Sequence, residues 1–224
     1  MTPPHVVVTG AGRGIGAELA RRYLAAGWAV TVGVRRPGAV DLPAAIARHP
    51  LDLEDDAGIA AFAERIQRPV DVLINNAGLF GPRPQPLAAV DAEIWSRIFR
   101  VNTIAPVLLA RALVDRVAAS ERRVLATITS RMGSFAENTS GGISMYRSSK
   151  AAVNMAMQCL AFEVEDRGIG VLLVHPGWVR TAMGTDAADL GVEDSAAGVH
   201  AVIDGFHAGE RLAFRAWDGR EIPW

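Results

Sequence analysis

Along the chain, two patterns of apolar residues take turns. One is a short uninterrupted run, often β-branched, that stops at glycine, asparagine or a hydroxyl residue. The other is a longer stretch whose apolar positions recur every three or four residues. Val6–Thr9 is the first short run and stops at Gly10; Gly14–Ala26 then has helical spacing and ends before Gly27, a suitable C-cap. Ala29–Val34 reads as a second strand, and Ile46–His49 as a weak third. Asp55–Gln67 follows as a helix, then Val70–Asn75 as a strand, Asp91–Ala118 as one long helix and Val124–Thr129 as a strand. Met145–Asp166 is the last clear helix and Ile169–His175 the strand after it. Strands apolar on both faces, separated by helices, predict a parallel sheet of about seven strands, doubly wound, with helices on both faces. No repeat or linker interrupts the alternation, and GPRPQP at 81–86 reads as a tight surface loop, so residues 1–224 are expected to form a single domain.

Composition narrows the classes. With 224 residues, half of them hydrophobic, the chain can bury a large core. A net charge of −1 gives no basis for binding nucleic acid or an acidic membrane, and the five tryptophans show no stacking pattern for bases. MTPPHVVV has neither the charged region nor the long apolar run of a secretory signal, and no apolar stretch reaches the ~18 residues of a membrane span. A cytoplasmic location is expected, consistent with a single cysteine; Cys159, within MAMQCLAF, reads as core. His5, His49, His200 and His207 have no ligand spacing, so no metal site is expected, and His175 before Pro176 reads as structural.

Two stretches carry chemistry. After the first strand comes TGAGRGIG, with glycines at 10, 12, 14 and 16. Such a turn lets the backbone approach a pyrophosphate, whose charge then lies at the N-terminus of the following helix. The second stretch is YRSSK: on a helix, Tyr146 and Lys150 share a face one turn apart. A cation there would lower the phenol pKa, although the same spacing also suits a solvated helix.

The Gly10-x-x-x-Gly14-x-Gly16 spacing resembles the short-chain dehydrogenase/reductase family, and further motifs appear in the family's order. Asp52 and Leu53 stand where the family meets adenine, Asn75-Asn76-Ala77-Gly78 matches its NNAG, and Pro176, Gly177, Val179 and Thr181 match its P-G-x-V-x-T. TSRMGS, YRSSK and the tail DGREIPW are similar to the C-factor-like and sniffer-like carbonyl reductase branch. The resemblance implies a Rossmann fold and a catalytic set of Ser130, Tyr146, Lys150 and Asn102. Tyr146 would be acid in reduction and base in oxidation, Lys150 would keep the phenol acidic and hold the nicotinamide ribose, Ser130 would orient the substrate oxygen, and Asn102 would anchor a proton-relaying water. It also implies dinucleotide contacts from Gly10, Gly12, Arg13, Gly14, Ile15, Gly16, Asn76, Ala77 and Gly78. The expected substrate is a small carbonyl or alcohol. A dinucleotide-binding signalling protein of C-factor type is the alternative. A Ser/Lys hydrolase is disfavoured because no G-x-S-x-G elbow is present.

Charge indicates the cofactor. In GWAVTVGVRRP, Val34 occupies the position where NAD(H) enzymes place an acid, and Arg35 and Arg36 follow, with Arg13 in the glycine loop. NADPH/NADP+ is therefore expected over NADH. Residues 182–198 are expected to form a substrate lid; without a basic residue, that lid disfavours a bulky anionic substrate unless Arg131 or Arg180 compensates. Trp178 could roof the site or pack in the core. The helices at Asn102–Val117 and Tyr146–Glu163 are apolar on more than one face, and the resemblance implies that they pair in a homodimer, unless the 134–142 segment covers them.

Overall fold

A computed structural model describes residues 2–207 and 209–224. Its strands are β1 (His5–Thr9), β2 (Ala29–Val34), β3 (Ala47–Pro50), β4 (Val72–Asn75), β5 (Val124–Ile128), β6 (Gly170–His175) and β7 (Leu212–Ala216). They form one seven-stranded sheet in the order β3-β2-β1-β4-β5-β6-β7, parallel throughout. The helices are α1 (Gly14–Ala25), α2 (Asp56–Glu64), α3 (Ala92–Phe99), α4 (Ala105–Ala118), α5 (Ser144–Glu163) and α6 (Val192–Asp204).

The uninterrupted apolar strands are explained by cover on both faces. Val6 and Val8 point into a core shared with Leu19 and Tyr23 of α1 and Val199 and Ile203 of α6. Val7 points the opposite way, with Phe62 of α2, Leu109 of α4 and Met157 of α5. Each large apolar side chain so buried contributes roughly 1.5–3 kcal/mol. The chain builds β1 to β3 in one direction and then returns to lay β4 on the other side of β1. A crevice opens at that reversal, beyond the carboxyl ends of β1 and β4, where open sheets of this type bind ligands.

Several expectations change. The helix read as Asp91–Ala118 is broken by a π-turn at Arg100–Ile104, where Ala105 N–H donates to the carbonyl of Arg100. Pro106 has no N–H for the carbonyl of Asn102 four residues back, so a regular α-helix cannot run through. Apolar spacing alone does not show this. Cys159 is exposed, not core. It shares the outer stripe of α5 with exposed Met155 and Phe162, while Val153, Met157 and Ala161 form the inner one. The stretch expected as a lid divides in two: 182–190 forms turns, and from Val192 the chain enters α6. No described helix is long and apolar enough to cross a membrane.

Candidate active site

The crevice is built first by the glycine loop. Gly10 turns with φ 67°, and a Cβ there would lie 2.7 Å from the Cα of Ala77. A Cβ on Gly16 would lie 2.3 Å from Asn76 Nδ2. Asn76 locks the two segments together: its Nδ2 donates to the carbonyl of Thr9 at 2.9 Å, and its main-chain N–H donates to Thr9 Oγ1 at 3.0 Å. By contrast, nothing lies within 4 Å of a Cβ on Gly12, so the loop has an open side. Gly14 faces Thr181, whose Cγ2 would be 3.5 Å from its Cβ. Ile15 packs against the α1–α6 core.

Around this loop the cations are unengaged. Arg13, Arg35 and Arg36 are exposed, and none of their guanidinium groups makes a hydrogen bond or ion pair within the described residues. Val34 is buried at the end of β2. Asp52 is exposed and accepts from the Glu54 N–H at 3.0 Å, while Leu53 belongs to the core beneath.

The second half of the crevice holds the polar set. Ser130 follows β5, Tyr146 and Lys150 lie in the first two turns of α5, and Asn102 lies in the π-turn; all four are buried. Lys150 Nζ donates to the carbonyl of Ile128 at 2.9 Å and lies 5.8 Å from the centroid of the Tyr146 ring. Gly78 holds this group close, because a Cβ there would be 3.4 Å from Asn102 Oδ1 and 3.8 Å from Lys150 Nζ. Asn102 itself grips the chain after β4. Its Oδ1 accepts from Leu79 N–H at 2.7 Å, and its Nδ2 donates to the Leu79 carbonyl at 2.8 Å and to Ser149 Oγ at 3.0 Å.

Burial governs the electrostatics. It pushes the Tyr146 phenol up to about 12, against the smaller opposing effects of the Ser130 side chain and the Arg83 charge. It also lowers the Lys150 ammonium to about 8. The groups pulling the phenol down are the Ser130 side chain and the Arg83 charge. Position in sequence gave no measure of burial.

The segment after β6 closes one wall. Gly177 has φ 87°, and a Cβ there would lie 2.8 Å from Leu190 and 3.1 Å from Trp217. Ser195 Oγ donates to the carbonyl of Pro176 at 2.7 Å, and Val179 pairs with Leu190 in an isolated bridge. Trp178 is half exposed rather than core, its Nε1 donating to the carbonyl of Gly184 at 2.6 Å. The two arginines that could have compensated for a lid without basic residues are engaged elsewhere. Arg131 pairs with Glu137 at 2.7 Å, and Arg180 donates to the carbonyls of Ala188 and Asp189, each at 2.9 Å. The opposite wall was not read from sequence. Phe80 lies against Tyr146, ring centroids 4.7 Å apart, and Arg83 stacks on Phe80 at 3.8 Å. Both lie in the stretch around the GPRPQP loop, whose prolines signalled only a surface turn.

The short chain dehydrogenase profile matches residues 4–189. The chain belongs to the short-chain dehydrogenase family. Within the family it is similar to C-signal of Myxococcus xanthus, 41% identical over 73% of this chain and 99% of that protein. It is also similar to a carbonyl reductase of Pseudomonas aeruginosa PAO1 solved in complex with NADP, at 35% identity and a TM-score of 0.88, covering 100% of both chains. The carbonyl reductase Sniffer of D. melanogaster superposes with a TM-score of 0.91 at 25% identity, again over 100% of both chains. The family's C-factor-like and sniffer-like branch is therefore where this chain falls.

Proposed function

We propose that the chain is an NADP(H)-dependent carbonyl reductase that converts an aldehyde, ketone or quinone to an alcohol. The observation that carries this reading is the burial of Ser130, Tyr146 and Lys150 together, across the crevice from a glycine loop whose Gly12 side is open. NADP(H), when bound, provides or accepts the hydride. The backbone of Gly10, Gly12, Gly14, Ile15 and Gly16 would hold the pyrophosphate at the start of α1, and Asn76, Ala77 and Gly78 would complete that side of the site. Unpaired Arg13, Arg35 and Arg36 suit a 2′-phosphate, and buried Val34 offers no carboxylate to oppose it. Asp52 and Leu53 would border the adenine, and Pro176, Gly177, Val179 and Thr181 the nicotinamide.

Ser130 hydrogen-bonds the substrate oxygen, and Tyr146 donates its proton to the developing alkoxide. Burial pushes the phenol up to about 12, so it is protonated at neutral pH and holds the proton that reduction requires. Oxidation needs the phenolate, and its rate should rise with pH. Lys150, with one N–H on Ile128, has donors left for the nicotinamide ribose. Asn102, its amide committed to Leu79 and Ser149, sets the loop geometry and would hold a proton-relaying water toward Lys150.

The likeness to C-signal supports a second reading, a signalling protein that binds the dinucleotide with incidental catalysis. A panel of aldehydes, ketones and quinones with NADPH and NADH separates them. Steady turnover with NADPH supports the reductase; tight NADPH binding without turnover of any member supports the sensor. We further place the protein in the cytoplasm as a homodimer joined through the π-turn and α4, where Ile104 is exposed, and the outer stripe of α5, which exposes Met155, Cys159 and Phe162.

A further inference from the structure

The mouth of the crevice carries a cation that the proposed chemistry does not use. Arg83 stacks on Phe80 at 3.8 Å, and Phe80 in turn lies 4.7 Å from the Tyr146 ring, so the guanidinium is fixed within one aromatic ring's reach of the phenol. One of its N–H groups donates across the mouth to the carbonyl of Met183. No carboxylate pairs with it among the described residues, and its remaining donors are uncommitted. The turn that Arg83 reaches exposes apolar side chains, Met183 at 36% and Trp178 at 51%, with Trp178 Nε1 tied to the Gly184 carbonyl. A fixed cation among exposed apolar groups, beside a carbonyl-reducing centre, matches an amphiphilic ligand. Arginine favours a carboxylate over other polar groups because its planar fork can donate twice to one anion.

Resting on the carbonyl-reductase reading, we propose that Arg83 determines specificity and selects carbonyl compounds that carry a carboxylate about one aromatic ring from the reacting carbon. This reverses the expectation from the 182–198 stretch, whose lack of basic residues disfavoured anions. The cation comes from a loop 100 residues earlier in the chain.

The test compares 4-carboxybenzaldehyde with its neutral methyl ester, using NADPH, in wild type, Arg83→Ala and Arg83→Gln. The readout is the ratio of the two kcat/KM values, which is insensitive to any general loosening of the lid. Wild type should favour the acid by about tenfold or more, as one charged hydrogen bond allows, and both variants should bring the ratio near unity. A ratio unchanged by the substitutions, or a wild type without preference for the acid, overturns the proposal. Benzoate binding, followed by tryptophan fluorescence with and without NADP+, decides the matter if wild type turns over neither aldehyde. That failure would count against the reductase reading. Even then, benzoate binding about tenfold weaker in both variants supports Arg83 as the anion site, and equal binding refutes it.

Discussion

At the scale of single residues, burial decides behaviour more than neighbouring charge does. His175 is half-buried, its Nδ1 finds no partner among the described residues, and burial lowers its pKa to about 4. Between that value and its ordinary 6.5 the unfolded chain binds a proton that the folded chain does not. The stability is therefore complete above about pH 6.5 and is lost as pH falls toward 4. Unfolding free energies from urea curves at about pH 7 and about pH 5 should differ less in His175→Leu than in wild type by roughly 1–2 kcal/mol; equal pH dependence would contradict the assignment. Cofactor choice also belongs to this scale. In Val34→Asp/Arg35→Ala, the preference for NADPH over NADH in kcat/KM should fall by about tenfold or more. A wild type that prefers NADH would show that the arginines are only solvated charges. Both arguments begin from residue types visible in the sequence. What the sequence lacked was burial, which put Cys159 outside and raised the phenol rather than lowering it.

At the scale of elements, the two glycines Gly12 and Gly16 do different work. A Cβ on Gly16 would meet Asn76 Nδ2 at 2.3 Å and the Gly10 carbonyl at 2.9 Å, while one on Gly12 would meet nothing. Gly16→Ala should lower stability by about 1–3 kcal/mol. Gly12→Ala should leave stability within ~0.5 kcal/mol while weakening NADPH binding. Urea unfolding and NADPH fluorescence titration measure the two effects; equal stability loss in both variants would refute the open-side reading. The strands, the glycine turn and NNAG were legible because each is a contiguous run with a strong local preference. The π-turn was not, because a missing N–H at Pro106 interrupts hydrogen bonding without changing the apolar period. The Phe80–Arg83 wall was illegible for another reason: its meaning lies in contacts with Tyr146 and Met183, far away in sequence.

At the scale of the molecule, the alternation of apolar runs was enough to specify a doubly wound parallel sheet, because only cover on both faces suits strands such as Val6–Val8. It could not say which helix faces stay uncovered. The structure leaves Met155 and Phe162 of α5 60% and 58% exposed, and a stripe of that kind fits the proposed twofold contact. Light scattering at micromolar concentration should give a dimer mass for wild type and a monomer mass for Met155→Glu/Phe162→Glu; a monomeric wild type would end the dimer proposal. The central claim is that the buried trio of Ser130, Tyr146 and Lys150 reduces a carbonyl with Tyr146 as proton donor. Its most direct test is NADPH consumption with a reactive aldehyde by wild type and Tyr146→Phe, alongside NADPH affinity by fluorescence titration. The account predicts a loss of turnover of ~10² or more in the variant with affinity nearly unchanged. A variant that keeps over half the wild-type rate would contradict it.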